Sequence, residues 1–203
     1  MEDIVILGYG GHARSVADSI IRTGLYTIAG YTDPSAGSGP VRYLGTDDVL
    51  EDLYRSGVRM AVLGMGFLGA SYLRDSLVKR AEEIGYQFPA IIDPSAVIAE
   101  DAVISKGSFV GKQAVLNAGS SVGEYCIINT SAVVEHESVV CGYSHVAVGA
   151  LLCGNVSVGS HTLIGAGTTV LQGTRVGNGC IIGAGSLILR DVPDDQKVIG
   201  TYK

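Results

Sequence analysis

The sequence predicts an α/β N-terminal domain, a small Rossmann-like parallel sheet, followed by a parallel β-helix of hexapeptide repeats. Three observations carry this reading. From Pro94 to Leu189 the chain divides into sixteen hexads without an insertion. The fifth place of every hexad is aliphatic, from Ile98 and Ile104 to Ile182 and Ile188, and the third is small or short, as at Ala96, Ser108, Cys126 and Ser186. Ahead of this lattice, the apolar run Ile4 to Leu7 ends in Gly8-Tyr-Gly-Gly-His12, the pattern of a strand, a glycine turn and a helix.

The N-terminal elements follow in order. The first strand and glycine turn lead into a helix from about Gly11 to Arg22. A second strand spans Ile28 to Tyr31 and stops at Thr32-Asp33. Thr46 is placed to cap a helix across Asp47 to Arg55. A third strand, Met60 to Leu63, gives way at Gly64-Met-Gly66 to a helix from about Ala70 to Ile84, and Tyr86 to Ile92 completes four strands. The expected division is 1–92 for the Rossmann-like domain and 93–203 for the β-helix.

A period of six matches neither the helix repeat nor a plain strand, but it fits a coil in which each hexad contributes one short strand and one corner. Three hexads close a triangular coil of eighteen residues. Coils stack about 4.8 Å apart, so the lattice makes roughly five coils and a prism about 25 Å long. Gly at 111, 123, 159, 165, 177 and 183 and Asn at 117 and 129 fill the sixth place. They are expected to supply left-handed corners.

Composition narrows the function. The net charge of −6, with no run of Lys or Arg, argues against a nucleic-acid partner. No stretch approaches the ~20 apolar residues of a membrane span, and the start lacks the basic and apolar regions of a signal peptide; a cytoplasmic protein is expected. The four cysteines, Cys126, Cys141, Cys153 and Cys180, form no CxxC pair and read as small core residues.

Two groups of residues have the material of a site. Gly8, Gly10 and Ala13 satisfy G-x-G-x-x-A, with Asp33 at the end of the next strand for a ribose or base edge. Four strands supply barely more than one mononucleotide half, so a nucleotide sugar or similar ligand fits better than NAD; a purely structural turn is the third reading. Between residues 135 and 153 the corner pattern lapses, and there His136 stands between Glu135 and Glu137, with His145 nine residues on. A carboxylate beside an imidazole suits a general base; the same residues also suit a solvated corner. His136, His145 and His161 are separated by 9 and 16, not by the five residues of prism-shaped zinc enzymes, so no metal is expected.

The segment Asn129-Thr-Ser-Ala-Val-Val-Glu-His136-Glu-Ser-Val-Val-Cys-Gly-Tyr-Ser-His145, running on to Cys153-Gly154, resembles the NeuD/PglD-type bacterial sugar acetyltransferases of the hexapeptide-repeat superfamily. The Gly-Tyr-Gly-Gly-His12 turn and the Phe88-Pro-Ala-Ile-Ile-Asp-Pro junction are similar too. The resemblance implies a left-handed β-helix and a homotrimer with acetyl-CoA in the groove between neighbouring prisms. It implies that His136 is the base and Glu137 its orienting carboxylate. His145 would contact the acetyl carbonyl, Gly154 the donor through its backbone, and Asn129 would line the site. Gly10, Gly11, His12 and Asp33 would bind the nucleotide sugar. The implied reaction is N-acetylation of a UDP- or dTDP-linked amino sugar; the alternatives are O-acetylation of sialic acid or a polysaccharide unit, and a non-catalytic binding subunit. Pro34 stands where many members carry a second acidic residue, and the chain ends Gly200-Thr-Tyr-Lys203 in place of Gly-x-Pro-Ala.

Overall fold

The computed structural model describes residues 1–69 and 72–203, and the chain divides into two compact units. One comprises Met1–Gly66 and residues 72–94; in the other, residues 67–69 join Ser95–Lys203.

The first unit is a four-stranded parallel sheet. Strand β1 (Glu2–Leu7) is central, and its Ile4, Val5, Ile6 and Leu7 are fully buried, as a parallel strand covered on both faces requires. Helix α1 (Gly11–Thr23) buries Ala13, Val16, Ala17 and Ile20, one stripe at helical spacing. It ends where Gly24 turns left-handed (φ 64°) and gives its N–H to the Ile20 carbonyl. Strand β2 (Tyr26–Thr32) pairs with β1, and β3 (Tyr43–Gly45) with β2. A 3₁₀ turn (Asp47–Val49) precedes helix α2 (Leu50–Arg55), then come β4 (Met60–Leu63) on the far side of β1 and helix α3 (Leu73–Ile84). The order β3-β2-β1-β4 reverses direction between β1 and β4. Asp93, fully buried, accepts from Ser19 Oγ and pairs with Arg22, both at 2.7 Å.

Several expectations are corrected here. The edge strand β3 was not foreseen, and the expected fourth strand over 86–92 is only a bridge from Gln87 to Met60 and a two-residue strand, Ile91–Ile92. Thr46 occupies the N-cap position without a capping bond; its hydroxyl donates instead to Asp48 Oδ2. Helix α3 is described from Leu73, and the expected start at Ala70 lies outside the described residues.

The second unit is a parallel β-solenoid. Its strands fall on three faces, each pairing with the strand eighteen residues on, as Ile127↔His145 and Val133↔Leu151. The fifth-place side chains from Val110 to Ile188 are buried, each worth about 1.5–3 kcal/mol of apolar burial. The solenoid continues past Leu189 with Lys197–Val198 on Ile181–Ile182 and Thr201–Tyr202 on Leu187–Ile188.

The left-handed corners lie elsewhere than expected. From Gly107 to Gly185 every second place of a hexad has φ between 54° and 73°, whether glycine or a residue such as Gln113, Tyr125, Ser131 or Glu137. The sixth-place glycines are needed for a different reason. A Cβ on Gly159 would come within 2.5 Å of the Asn178 backbone nitrogen and one on Gly165 within 2.6 Å of that of Ala184, so glycine there lets coils stack. At the third place, hydroxyls do more than fit. Ser144 donates to the Gly159 carbonyl and accepts the Thr162 N–H; Thr162 donates to Gly177 and accepts from Cys180. Cys126 and Cys180 hold the same column, with Sγ 3.2 and 3.1 Å from the Cys141 and Pro193 carbonyls.

Candidate active site

Side-chain amides at the sixth place cap corners of the solenoid, and Asn117 stands one coil before the corner that carries His136. Asn117 Oδ1 accepts the N–H of Ala118, and Asn129 Oδ1 that of Thr130, each at 2.8 Å. Glu135 does the same for the His136 N–H at 3.1 Å and also accepts from Asn117 Nδ2 at 2.9 Å. Glu135 is thus a corner cap working across coils. The apparent lapse in the pattern at this position is a substitution of one acceptor for another.

Glu137, one residue on, is left-handed (φ 58°), like the equivalent residue of every neighbouring coil. Its backbone therefore reflects the architecture of the coil. Its Oε2 lies 3.4 Å from His136 Nδ1, and both side chains are largely exposed. With Nδ1 turned to that carboxylate, Nε2 is the nitrogen left to take a proton. The imidazole lies over Gly154, its counterpart one coil later: a Cβ there would overlap Nε2 and Cε1 and stand 3.0 Å from Cδ2.

His145 occupies a strand on a different face, where it is buried. Its Nδ1 lies 2.7 Å from the carbonyl oxygen of Phe67, and its Nε2 lies 3.1 Å from Asn129 Nδ2. The structure therefore brings His136 together with Gly154 and Glu137, and His145 with Asn129. The two histidines stand apart, His136 at a corner and His145 on a face. The Phe67 carbonyl and Asn117 escaped the sequence reading; a backbone acceptor has no side-chain signature, while Asn117 was visible as the residue one coil before Glu135.

In the first unit, a cleft of about 250 Å³ opens at the carboxyl ends of the strands, lined among others by Gly8, Asp33, Met65, Leu77 and Arg80. That is where an open α/β sheet receives ligands, at the reversal of strand order. The Asp33 carboxylate also holds the glycine turn, accepting the Tyr9 N–H at 2.9 Å and the Ser35 N–H at 3.3 Å. The Tyr9 ring stacks on Tyr31 at 4.0 Å. A Cβ at Gly10 or Gly11 would meet no protein atom within 4 Å, so internal packing does not demand glycine at the start of α1. Gly10, Gly11 and His12 do not line the cleft. Among the described residues, no group of three or more His, Cys, Asp or Glu is placed to hold a metal ion.

Residues 3–81 match the family model described as the PglD N-terminal domain, and residues 155–190 the model for bacterial transferase hexapeptide (six repeats). The chain is similar to the acetyltransferase domain of PglB from Neisseria gonorrhoeae, solved with acetyl coenzyme A: 30% identity over 98% of this chain and 96% of that one, with a TM-score of 0.92. It is also similar to a mutant perosamine N-acetyltransferase from Caulobacter crescentus, solved with CoA and GDP-perosamine: 33% identity, 98% and 94% coverage, TM-score 0.93. WeeI from Acinetobacter baumannii shares the fold at 20% identity, with 98% and 97% coverage and a TM-score of 0.80. None of the curated proteins compared with the chain matches it.

Proposed function

The chain belongs to the NeuD/PglD-type sugar acetyltransferases of the hexapeptide-repeat superfamily, and on that premise we propose that it moves an acetyl group from acetyl-CoA to the amino group of a nucleotide-linked amino sugar. The observation that carries the reading is the His136 corner: an accessible imidazole with one nitrogen at a carboxylate and the other over a glycine. The thioester is already activated, so the protein's tasks are to hold two substrates and to accept one proton.

In this mechanism the sugar's amine nitrogen attacks the thioester carbon, forming the N–C bond while its proton passes to His136 Nε2. Glu137 stabilises the imidazolium. The C–S bond then breaks and CoA leaves as the thiolate, which takes the proton from the His136 imidazolium to become the thiol and leaves His136 neutral again. The Gly154 backbone lies beside the imidazole and meets the donor. The first unit, within the boundary of 1–92, holds the nucleotide sugar in the cleft beside Asp33, with Gly10, Gly11 and His12 at the open start of α1. Residues 93–203 carry the transfer.

The working assembly is a homotrimer with acetyl-CoA between neighbouring prisms. In support, Val103 and Val139 remain exposed on one face of the solenoid, and Val97 and Leu187 on another, apolar side chains that neighbouring copies would cover. Acetyl-CoA and activated sugars are cytoplasmic metabolites, and the enzyme works there. No helix among the described residues is long and apolar enough to cross a membrane.

The test is CoA release from acetyl-CoA with a panel of UDP-, dTDP- and GDP-linked amino sugars. His136→Ala should lower turnover by about 10²–10⁴-fold with the fold intact, and an unchanged rate would remove His136 as the base.

A further inference from the structure

We propose that the cleft of the first unit reads a guanine base, with the Asp47 carboxylate accepting its two adjacent N–H groups and the Arg80 guanidinium donating to its O6 and N7, so that the acceptor sugar is carried on guanosine diphosphate. This deepens the nucleotide-sugar reading of the same cleft and rests on it.

Both side chains line the cleft, and each is already aimed by a bond on its far side. Asp47 opens the 3₁₀ turn after β3 and is half-buried. Its Oδ1 accepts from the hydroxyl of Thr32 at 2.6 Å, and Thr32 is fully buried at the end of β2. Asp47 Oδ2 has no hydrogen-bond partner among the described residues. Arg80 stands on α3 and gives one Nη2 hydrogen bond to Asp48 Oδ1 at 2.9 Å. Its Nε and Nη1 have no partner among the described residues. Met65, Leu73 and Leu77 supply apolar wall.

These features select which part of a nucleotide sugar enters. Asp33 and Asp47 line the cleft and Asp48 pairs with Arg80, three carboxylates against one guanidinium, which repels a pyrophosphate. A sugar turns hydroxyls to every side and would leave some of them against the apolar wall. A base has apolar faces and a polar rim, as this wall and this acceptor–donor pair require. Asp33 is committed to the glycine turn through Tyr9 and Ser35, which leaves the reading of the rim to Asp47 and Arg80.

The rims of the bases differ. Uracil and thymine have one N–H between two carbonyls, so a carboxylate that takes the N–H sets its other oxygen against a carbonyl. Adenine and cytosine carry one amino group beside a bare ring nitrogen, with the same conflict. Guanine sets N1–H beside the exocyclic N–H, two donors for one carboxylate. Its O6 and N7 follow on the rim, the acceptor pair that an arginine fork matches.

Isothermal titration calorimetry of the intact chain with GDP, inosine diphosphate, UDP and dTDP tests this. GDP should bind at least about tenfold more tightly than UDP or dTDP, and inosine diphosphate, which lacks the exocyclic amine, about tenfold more weakly than GDP. Asp47→Ala should erase the difference between GDP and inosine diphosphate. Arg80→Gln should weaken both alike, since both keep O6 and N7. UDP or dTDP binding as tightly as GDP overturns the proposal, and so does wild-type protein that binds inosine diphosphate as tightly as GDP. The wild-type comparisons stand whether or not the variants fold. If none of the four diphosphates binds, the nucleotide-sugar reading itself falls and takes this inference with it; a preference for UDP or dTDP removes guanine alone.

Discussion

The imidazole of His136 rests on the bare Cα of Gly154, eighteen residues and one coil further along the solenoid. A β-carbon at that place would occupy the space of the ring. Gly154 does not have a left-handed backbone, so glycine is required there by its neighbour and not by its own conformation.

Gly154→Ala should accordingly fold and push the imidazole aside. We expect turnover to fall about 10²-fold, the scale of an ångström-sized misplacement. Combining it with His136→Ala should produce no further loss in kcat, because the displaced group would already be gone. A Gly154→Ala enzyme with wild-type kcat would show that the ring has room to spare.

The two acids beside His136 should separate. Glu137→Gln should reduce kcat about tenfold while leaving the melting temperature alone, since its contact is an exposed one at 3.4 Å. Glu135→Ala should lower stability by about 1–2 kcal/mol, because two donors from adjacent coils lose their acceptor. Urea unfolding and steady-state kinetics on the pair would reveal any exchange of these roles.

The third-place column should tolerate sulfur-for-oxygen exchange and resist its removal. Cys126→Ser should keep stability within about 1 kcal/mol, because Ser108 and Ser144 make the same bonds one coil away on each side. Thr162→Val should cost about 1–3 kcal/mol by orphaning the Gly177 carbonyl and the Cys180 N–H. Burial also pushes the Cys180 thiol upward, so alkylating reagents should leave it intact in the native protein at pH 8.

Tyr86 supplies a pH test of the first unit. Burial pushes its phenol up to about 12, with Arg59 acting weakly in the other direction, and its hydroxyl donates to the Leu50 carbonyl at 2.8 Å. An unfolded tyrosine ionises near 10. Below pH 10 both states keep the proton; between 10 and about 12 the folded state binds more protons, so stability falls as pH rises, by roughly 2–3 kcal/mol in all. Tyr86→Phe should be about 1 kcal/mol less stable at pH 8 and should lack the tyrosine's share of that decline. Denaturant titrations from pH 8 to 11.5 would check both.

The solenoid was legible because one side chain in six must fill the same interior, and Val110 to Ile188 do so. The corners were harder, since glycine serves two purposes. At the sixth place it admits the next coil, and at the second it relaxes a left-handed turn that Tyr125, Glu137 and His161 also adopt. Composition alone does not separate the two. The three-residue strand Tyr43–Gly45 carries too little pattern to announce itself. At the candidate site, the His136 segment was visible as residue types, and the eighteen-residue register would have placed Gly154 beneath the ring. His145's dependence on Phe67 was invisible because its partner is a main-chain oxygen 78 residues away.

The eighteen-residue pairing has one more consequence. Each coil bonds only to the coil before it and the coil after it, so the solenoid behaves as a one-dimensional stack that frays from its ends. Its terminal turn is already irregular, with Ile181 meeting Lys197 and Leu187 meeting Thr201 at shorter separations than eighteen. Asn129, His136, His145 and Gly154 sit in interior layers, flanked by intact coils on both sides. Opening at either end can come and go while the reacting layers keep both of their neighbours.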